Sequence, residues 1–294
     1  MRPDQTSTTR RSPRPAVALF LASIALALSM FSGCSRTRGQ ETTQITAAGS
    51  TSVTPFAEQL AEEFMRAHPG VHVNIQGIGS TAGIQAVQTG AADIGMSSRD
   101  LLQEEERTLE PIVMALDALA IIVHPSNTVR NLTLEQIRRI FAGEIRDWSE
   151  VGGPAAPITL VNREAGSGTR GAFEELVMGK NGPPLSYRSI RQGSNGAVRA
   201  VVEGDPRAIG YISLGIVNSR VRTIAVDGVL PTAESVEAGR YRLVRPFLMV
   251  VARGGELPKL SRDYIAYVLG DEGQRSLASI GLIPAPRKET PWKD

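Results

Sequence analysis

The chain has 294 residues, 41% of them hydrophobic and 21% charged. These proportions exclude collagen-like, coiled-coil and wholly disordered chains and leave one large or two small domains, with a soluble α/β protein as the default. The formal charge of +2 is mildly basic and keeps nucleic acid or an anionic membrane in play as partners until that basicity is located. The single cysteine, Cys34, excludes an intrachain disulfide and every two-thiolate zinc pattern, and three histidines leave little room for another metal cluster. No metal and no cofactor are expected.

Arg2, Arg10, Arg11 and Arg14 precede an uncharged apolar run from Ala16 to Phe31, and Ser32-Gly33-Cys34 follows it. Its 16 residues fall short of the roughly 20 that a membrane-spanning helix needs, and the order basic, apolar, small is that of an export signal. Because the only cysteine stands directly after the small residues, the segment resembles a bacterial lipoprotein signal. That resemblance implies a signal over residues 1–33 and a lipid on Cys34, although Phe31 departs from the usual Leu three positions before the cysteine. The alternative is an ordinary signal with a free thiol nearby. A twin-arginine reading of Arg10-Arg11 is weaker, since Ser12-Pro13 lacks the apolar pair that usually follows. Residues 34–43 are polar and aperiodic, as suits a flexible tether. Without residues 1–33, which hold four arginines and Asp4, 261 residues remain with a formal charge of −1. The bulk-charge case for nucleic acid goes with the leader, so no nucleic-acid partner is expected.

From Gln44 the chain alternates β-rich runs with helical patterns, the signature of an α/β fold with mostly parallel strands. Ile45 to Ala48 predicts a strand, and Pro55 after Thr54 opens a helix whose apolar stripe is Phe56, Leu60 and Phe64. His68-Pro69-Gly70 stops that helix, Val71, Val73 and Ile75 alternate as a strand, a short helix carries Ile84 and Val87, and Ile94 to Met96 is a third strand. The stretch from Ile112 to Val123, apolar except for Asp117, fits either one bent strand or two strands meeting at a domain crossing. Thr133 and Gln136 have capping-box spacing and open a helix with Leu134, Ile137 and Phe141 inward, closed by Gly143. Strands over Ile158 to Val161, Ile209 to Ile212 and Pro246 to Ala252 follow, with helices over Arg170 to Met178, Ala197 to Val202, Ser261 to Leu269 and Asp271 to Ile280.

Three turns rich in small hydroxyl residues each join a strand to a helix: AGSTSVTP (Ala48 to Pro55), GIGSTAG (Gly77 to Gly83) and AGSGTR (Ala165 to Arg170). Unpaired N–H groups and a partial positive charge make helix N-termini ready sites for anions. Glycine allows close backbone approach, and Ser and Thr add donors without adding charge. Converging at the carboxyl ends of their strands, the turns would cage a tetrahedral oxyanion, with Arg163 offering a planar fork to two of its oxygens. N-capping alone is the competing use of such residues. Other phosphate motifs fit poorly: the glycines at 77, 79 and 83 are one residue too long for the dinucleotide fingerprint, and no G-x-x-x-x-G-K-[ST] occurs. The nucleophile elbow G-x-S-x-G fails around Ser167, and His68, His72 and His124 read as surface or strand residues, so no catalytic residue and no enzyme activity are expected.

These segments, with ADIGMSSRDL (Ala92 to Leu101), SNGAV (Ser194 to Val198) and GDPRAIGYISLG (Gly204 to Gly215), resemble the type 2 periplasmic solute-binding proteins, specifically those for phosphate. The resemblance covers nearly all of Thr46 to Ile283. It implies a two-lobed α/β fold with a hinge and an interlobe ligand cleft. Residues 44–119 and 243–294 would form one lobe and 120–242 the other. It further implies an extracytoplasmic, lipid-anchored monomer that delivers inorganic phosphate to a membrane ABC permease. Carried across by position, the anion would be held by Ser50, Thr51, Ser52, Ser80, Arg163, Ser167, the Gly168 backbone and Thr169. Where the best-known members place an aspartate that accepts the ligand's proton, this chain has Ser98, followed by Arg99 and Asp100. Ser98 can still accept such a bond but does not repel an unprotonated dianion. Arg99 is either a second anion contact or a partner of Asp100. Asn195 caps its helix or lines the cleft, with capping the favoured use. The same fold binding sulfate, molybdate or tungstate, a phosphate sensor or adhesin outside transport, and a hydrolase using Ser167 are the rival readings.

Overall fold

The computed structural model describes residues 43–285. The leader over 1–33, Cys34 and all but the last residue of the 34–43 tether lie outside the described residues. The first segment comprises β1 (Gln44–Gly49), α1 (Thr54–Ala67), β2 (His72–Gly77), α2 (Ser80–Gln88), β3 (Ile94–Ser97) and the long β4 (Leu109–Val123). A middle segment follows with β5 (Asn131–Leu132), α3 (Leu134–Ala142), β6 (Thr159–Arg163), α4 (Gly168–Phe173), β7 (Ile190–Gln192), α5 (Asn195–Gly204), β8 (Ala208–Ser213), β9 (Arg222–Thr223), β10 (Ala225–Val226) and α6 (Ala233–Glu237). The last segment is β11 (Val244–Ala252), α7 (Lys259–Leu269), α8 (Asp271–Ser279) and β12 (Ile283–Pro284).

Local sequence explains most of these elements. In α1, Phe56, Leu60 and Phe64 form a buried stripe, as their four-residue spacing predicts. The helix starts one residue earlier than expected, because the Thr54 hydroxyl donates to the Ser50 carbonyl at 3.0 Å instead of capping from outside. Thr133 and Gln136 form both bonds of a capping box at α3, and Gly143 ends that helix at φ 81°. The helix expected over 170–178 begins two residues sooner as α4. It continues as one wide π turn, Glu174–Met178, which buries the neighbours Val177 and Met178.

The main sheet runs β2-β1-β3-β11-β4-β8-β6-β7, with β9 and β12 also paired to β4. Its flanks are parallel, β2-β1-β3 at one end and β8-β6-β7 at the other. Every pairing of β11 and β4 in the centre is antiparallel. The mostly parallel sheet expected from the β–α alternation is therefore confined to the flanks. The reason is that β11 returns from the far end of the chain and inserts between β3 and β4. The stretch left open between one strand and two is a single strand of 15 residues. One end of β4 supplies Ile112, Met114 and Ala115 to the core around Phe56, Phe64 and Tyr264. The other end supplies Leu119, Ile121 and Val123 to the core around Phe141, Trp148 and Phe173.

Between these two cores β4 carries Asp117 and β11 carries Arg245, both buried. Their side chains form an ion pair at 2.9 Å, and Ser213 donates to the other carboxylate oxygen at 2.7 Å. Arg245 also donates to the Ser98 carbonyl at 3.3 Å and lies 5.2 Å over the Phe247 ring. Burial raises the Asp117 carboxyl and lowers the Arg245 guanidinium from their ordinary values, and the contact between them opposes both shifts.

Glycine sets the fit of α2 on β1. A Cβ on Gly83 would lie 2.3 Å from the Ala48 carbonyl oxygen and 2.4 Å from the Gly49 Cα. Gly83→Ala is therefore expected to destabilise the protein by about 1–3 kcal/mol in urea unfolding. Arg245→Met is expected to cost about 3–5 kcal/mol by stranding the Asp117 charge. The double variant Arg245→Met, Asp117→Leu should be more stable than Arg245→Met alone in the same measurement.

Candidate functional site

The turn after β1 packs against the end of β3. Gly49, at φ 149°, allows this approach, since a Cβ there would meet the Met96 carbonyl oxygen at 2.1 Å. The Ser50 amide then donates to that same carbonyl at 2.8 Å. Three hydroxyls collect at this corner: Ser50 Oγ donates to Ser98 Oγ at 2.9 Å, and Ser98 Oγ lies 3.4 Å from Ser80 Oγ, at the first turn of α2. The Ser98 amide donates to Ser80 Oγ at 3.2 Å, and Ser52 N–H donates to Ser50 Oγ at 3.2 Å. Ser50, Ser52, Ser80 and Ser98 are all buried.

The facing wall comes from the end of β6 and the starts of α4 and α5. Asn162 fixes the end of β6: its Oδ1 accepts the Arg163 amide at 2.7 Å and also the Tyr211 hydroxyl. Gly166, at φ 87°, turns the chain so that its carbonyl accepts the Thr81 amide at 3.2 Å. Ser167 caps α4 by accepting from the Arg170 amide at 3.3 Å. Gly168 lies so close to the opposite wall that a Cβ would stand 2.2 Å from Ser80 Oγ and 2.6 Å from Ser98 Oγ. Thr169 Oγ1 meets Ser52 Oγ at 2.6 Å, and Arg163 Nη2 donates to Thr51 Oγ1 at 3.0 Å. The three hydroxyl-rich turns thus converge, and each side contributes to bonds that cross between them.

Arg163 dominates the electrostatics. Its side chain is 1% exposed, and Glu164 binds one edge of it, with Nε–Oε2 at 2.9 Å and Nη2–Oε1 at 2.8 Å. Carbonyls of Gln192 and Gly193 accept from the same two nitrogens. Nη1, the third nitrogen, is buried with no protein partner. Among the described residues, four buried side-chain nitrogen or oxygen atoms lack a hydrogen-bond partner, and two of them belong to this cluster, Arg163 Nη1 and Asn195 Oδ1. Buried polar atoms without a protein partner are uncommon in folded proteins, and these two lie within one group of side chains.

Arg99 stands apart from the other expected residues. Both of its terminal nitrogens bind the Glu105 carboxylate at 2.8 Å, and Nη1 also donates to the Asp100 carbonyl at 2.7 Å. Its partners are therefore the Glu105 carboxylate and the Asp100 backbone; neither the anion cluster nor the Asp100 carboxylate receives it. Burial raises the Glu105 carboxyl, but the Arg99 guanidinium and the Leu102 amide outweigh this and hold it below its ordinary value. Asn195 also departs from expectation. Ser194 caps α5, accepting from the Ala197 amide at 3.1 Å, and Asn195 Nδ2 donates instead to Ser52 Oγ. Glu164 was missed as the partner of Arg163, although it follows it directly in NREAGSGTR.

The cluster offers hydroxyl groups, backbone amides and one guanidinium. None of its hydroxyls bonds to a histidine or a carboxylate among the described residues. His68 stacks on Phe64 with ring centroids 4.1 Å apart, and His124 bonds Ser126. Such a set of hydrogen-bond donors has the chemistry to bind a small oxyanion.

A family model described as the PBP superfamily domain matches residues 35–272. The phosphate-binding protein PstS of Bacillus subtilis is 30% identical over 247 residues, covering 82% of this chain and 80% of the relative. The PstS protein of Borreliella burgdorferi is 28% identical over 268 residues, covering 88% and 95%. A crystal structure from Clostridium perfringens with bound phosphate, described as a phosphate ABC transporter substrate-binding protein, superposes with a TM-score of 0.79 at 40% identity. It covers 83% of this chain and 100% of that one. An ABC-type phosphate transport receptor from Vibrio cholerae superposes with a TM-score of 0.71 at 36% identity, covering 82% and 100%. With its converging hydroxyl turns and buried arginine, this chain belongs to the PBP superfamily and, within it, to the family of the PstS phosphate-binding proteins.

Proposed function

We propose that the protein is an extracytoplasmic receptor that captures inorganic phosphate between two lobes and delivers it to the membrane permease of an ABC transporter. The observation that carries this reading is Arg163 Nη1, a buried cationic donor without a protein partner beside a cluster of buried hydroxyls. The names of the relatives and the phosphate-bound neighbour supply the ligand class. Ser50, Thr51, Ser52, Ser80, Ser98, Arg163, Ser167, the Gly168 amide and Thr169 form the anion set, and Arg99 is left out of it because Glu105 already binds its guanidinium. The lobes are residues 44–119 with 243–294, and residues 120–242. The division of apolar side chains along β4 supports this boundary. Closure of the lobes removes water from the anion and presents one shape to the permease. The receptor acts as a monomer held at the membrane by lipid on Cys34 and carries out no hydrolysis, since the Ser167 hydroxyl caps α4 and bonds to no histidine or carboxylate among the described residues.

One observation favours an alternative oxyanion. Ser98 stands at the place of the family's carboxylate, which removes the usual repulsion of sulfate. Titration calorimetry with phosphate, sulfate and molybdate at neutral pH decides, and tighter sulfate than phosphate binding overturns the phosphate assignment. Each hydrogen bond to a charged ligand contributes about 1.5–3 kcal/mol, so Arg163→Met is expected to weaken phosphate binding about 100-fold. Arg99→Met should change the same dissociation constant by less than about threefold, because it loses a contact to Glu105 and none to the ligand.

A further inference from the structure

At neutral pH phosphate and arsenate exist as monohydrogen and dihydrogen anions and so carry at least one proton, whereas sulfate carries none. A site separates the two classes with an atom that accepts hydrogen bonds and cannot donate them, because such an atom gains from a P–OH group and repels a bare oxygen. Hydroxyls serve in either role and do not discriminate; guanidinium and amide N–H groups only donate. Position 98 is a serine, and Arg163 occupies both oxygens of Glu164, the carboxylate next to the cluster. The carboxylate oxygens of Asp117, beneath Ser98, are taken by Arg245 and Ser213. Glu105 is bound to Arg99.

Asn195 fills the gap. It is 1% exposed, at the start of α5, and is released from helix capping by Ser194. Its Nδ2 donates to Ser52 Oγ, which lies 2.6 Å from Thr169 Oγ1. A serine hydroxyl that accepts this hydrogen bond is free to donate its own to Thr169 Oγ1, which leaves the Thr169 O–H to donate to a ligand. The same planar amide carries Oδ1, which is buried and has no protein partner. One trigonal carbon joins the two branches, so the orphaned acceptor sits at the hydroxyl cluster whose donors its sister nitrogen orients. We propose that Asn195 is a specificity-determining residue whose Oδ1 accepts a hydrogen bond from the P–OH group of monohydrogen phosphate, replacing the family's missing carboxylate as the group that discriminates against sulfate. This assignment rests on the phosphate reading above.

Titration calorimetry on the whole protein tests it, with phosphate, arsenate and sulfate as ligands and the sulfate-to-phosphate ratio of dissociation constants as the readout. Asn195→Leu removes the acceptor and should lower that ratio about tenfold, with arsenate following phosphate. Asn195→Asp makes both branches acceptors and should raise it. A purely structural role, or an amide turned to donate to the anion, weakens all three ligands together and leaves the ratio unchanged, which overturns the assignment. Should Asn195→Leu fail to fold, a ratio in Asn195→Asp no higher than in the wild type overturns it equally. A wild type that binds no phosphate overturns the receptor reading itself, whereas a phosphate-binding wild type with unmoved variant ratios overturns the role of Asn195 alone.

Discussion

A permanently charged guanidinium, Arg163, is withdrawn from water with one more donor nitrogen than the protein has acceptors to meet. An isolated buried charge of this kind is strongly unfavourable, and three features make it tolerable. Glu164 neutralises one edge, backbone carbonyls from the segment before α5 accept from the same edge, and Asn162 fixes the strand end from which the side chain extends. The remaining nitrogen is satisfied only by an acceptor that arrives from outside. On the proposed reading an oxyanion supplies that acceptor, and the buried hydroxyls around Arg163 offer it further hydrogen bonds.

That arrangement depends on parts of the chain that are far apart in sequence, and the central antiparallel strands hold them in register. β4 contributes side chains to both cores, and β11 runs back along it through the segment that holds Asp117 and Arg245. Arg245 links this segment to the site through the Ser98 carbonyl, and Asp117 reaches across to Ser213 at the end of β8. A buried ion pair is a poor source of net stability but an exacting geometric one, since any offset strands a charge. Placed between two apolar cores, it ties the position of Ser98 to the relation between the flanks of the sheet.

Much of this was legible before any coordinates. The spacing of Phe56, Leu60 and Phe64 predicts α1, Thr133, Gln136 and Gly143 predict both ends of α3, and the three hydroxyl-rich turns, expected to converge, do meet through bonds among Ser50, Ser80, Ser98, Ser52 and Thr169. What local pattern could not supply was pairing across distance. The antiparallel centre follows from where β11 inserts, which no periodicity encodes. Arg99 and Asp100 are neighbours in sequence, yet the guanidinium takes the Glu105 carboxylate, because the short turn after β3 brings that carboxylate around to it. Asn195 was misjudged for a similar reason. Ser194 and Asn195 both suit a helix cap, only one can fill it, and the contact made by the other depends on Ser52 arriving from 143 positions away.

Net charge and local charge also separate cleanly here. The basicity of the whole chain resides in residues 1–33, and without them the formal charge is −1. Within the folded part Arg163 pairs with Glu164, Arg245 with Asp117, Arg99 with Glu105 and Arg170 with Glu174. On the proposed reading, a ligand approaching this cluster meets little net attraction at long range, and salt screening leaves the short-range hydrogen bonds largely intact. Binding by short-range donors makes the count and direction of protons decisive, because every hydroxyl must choose whether to give or to receive. In such a site, selectivity between anions of similar size and charge rests on the few atoms whose role is fixed, a guanidinium nitrogen that can only donate and an amide oxygen that can only accept.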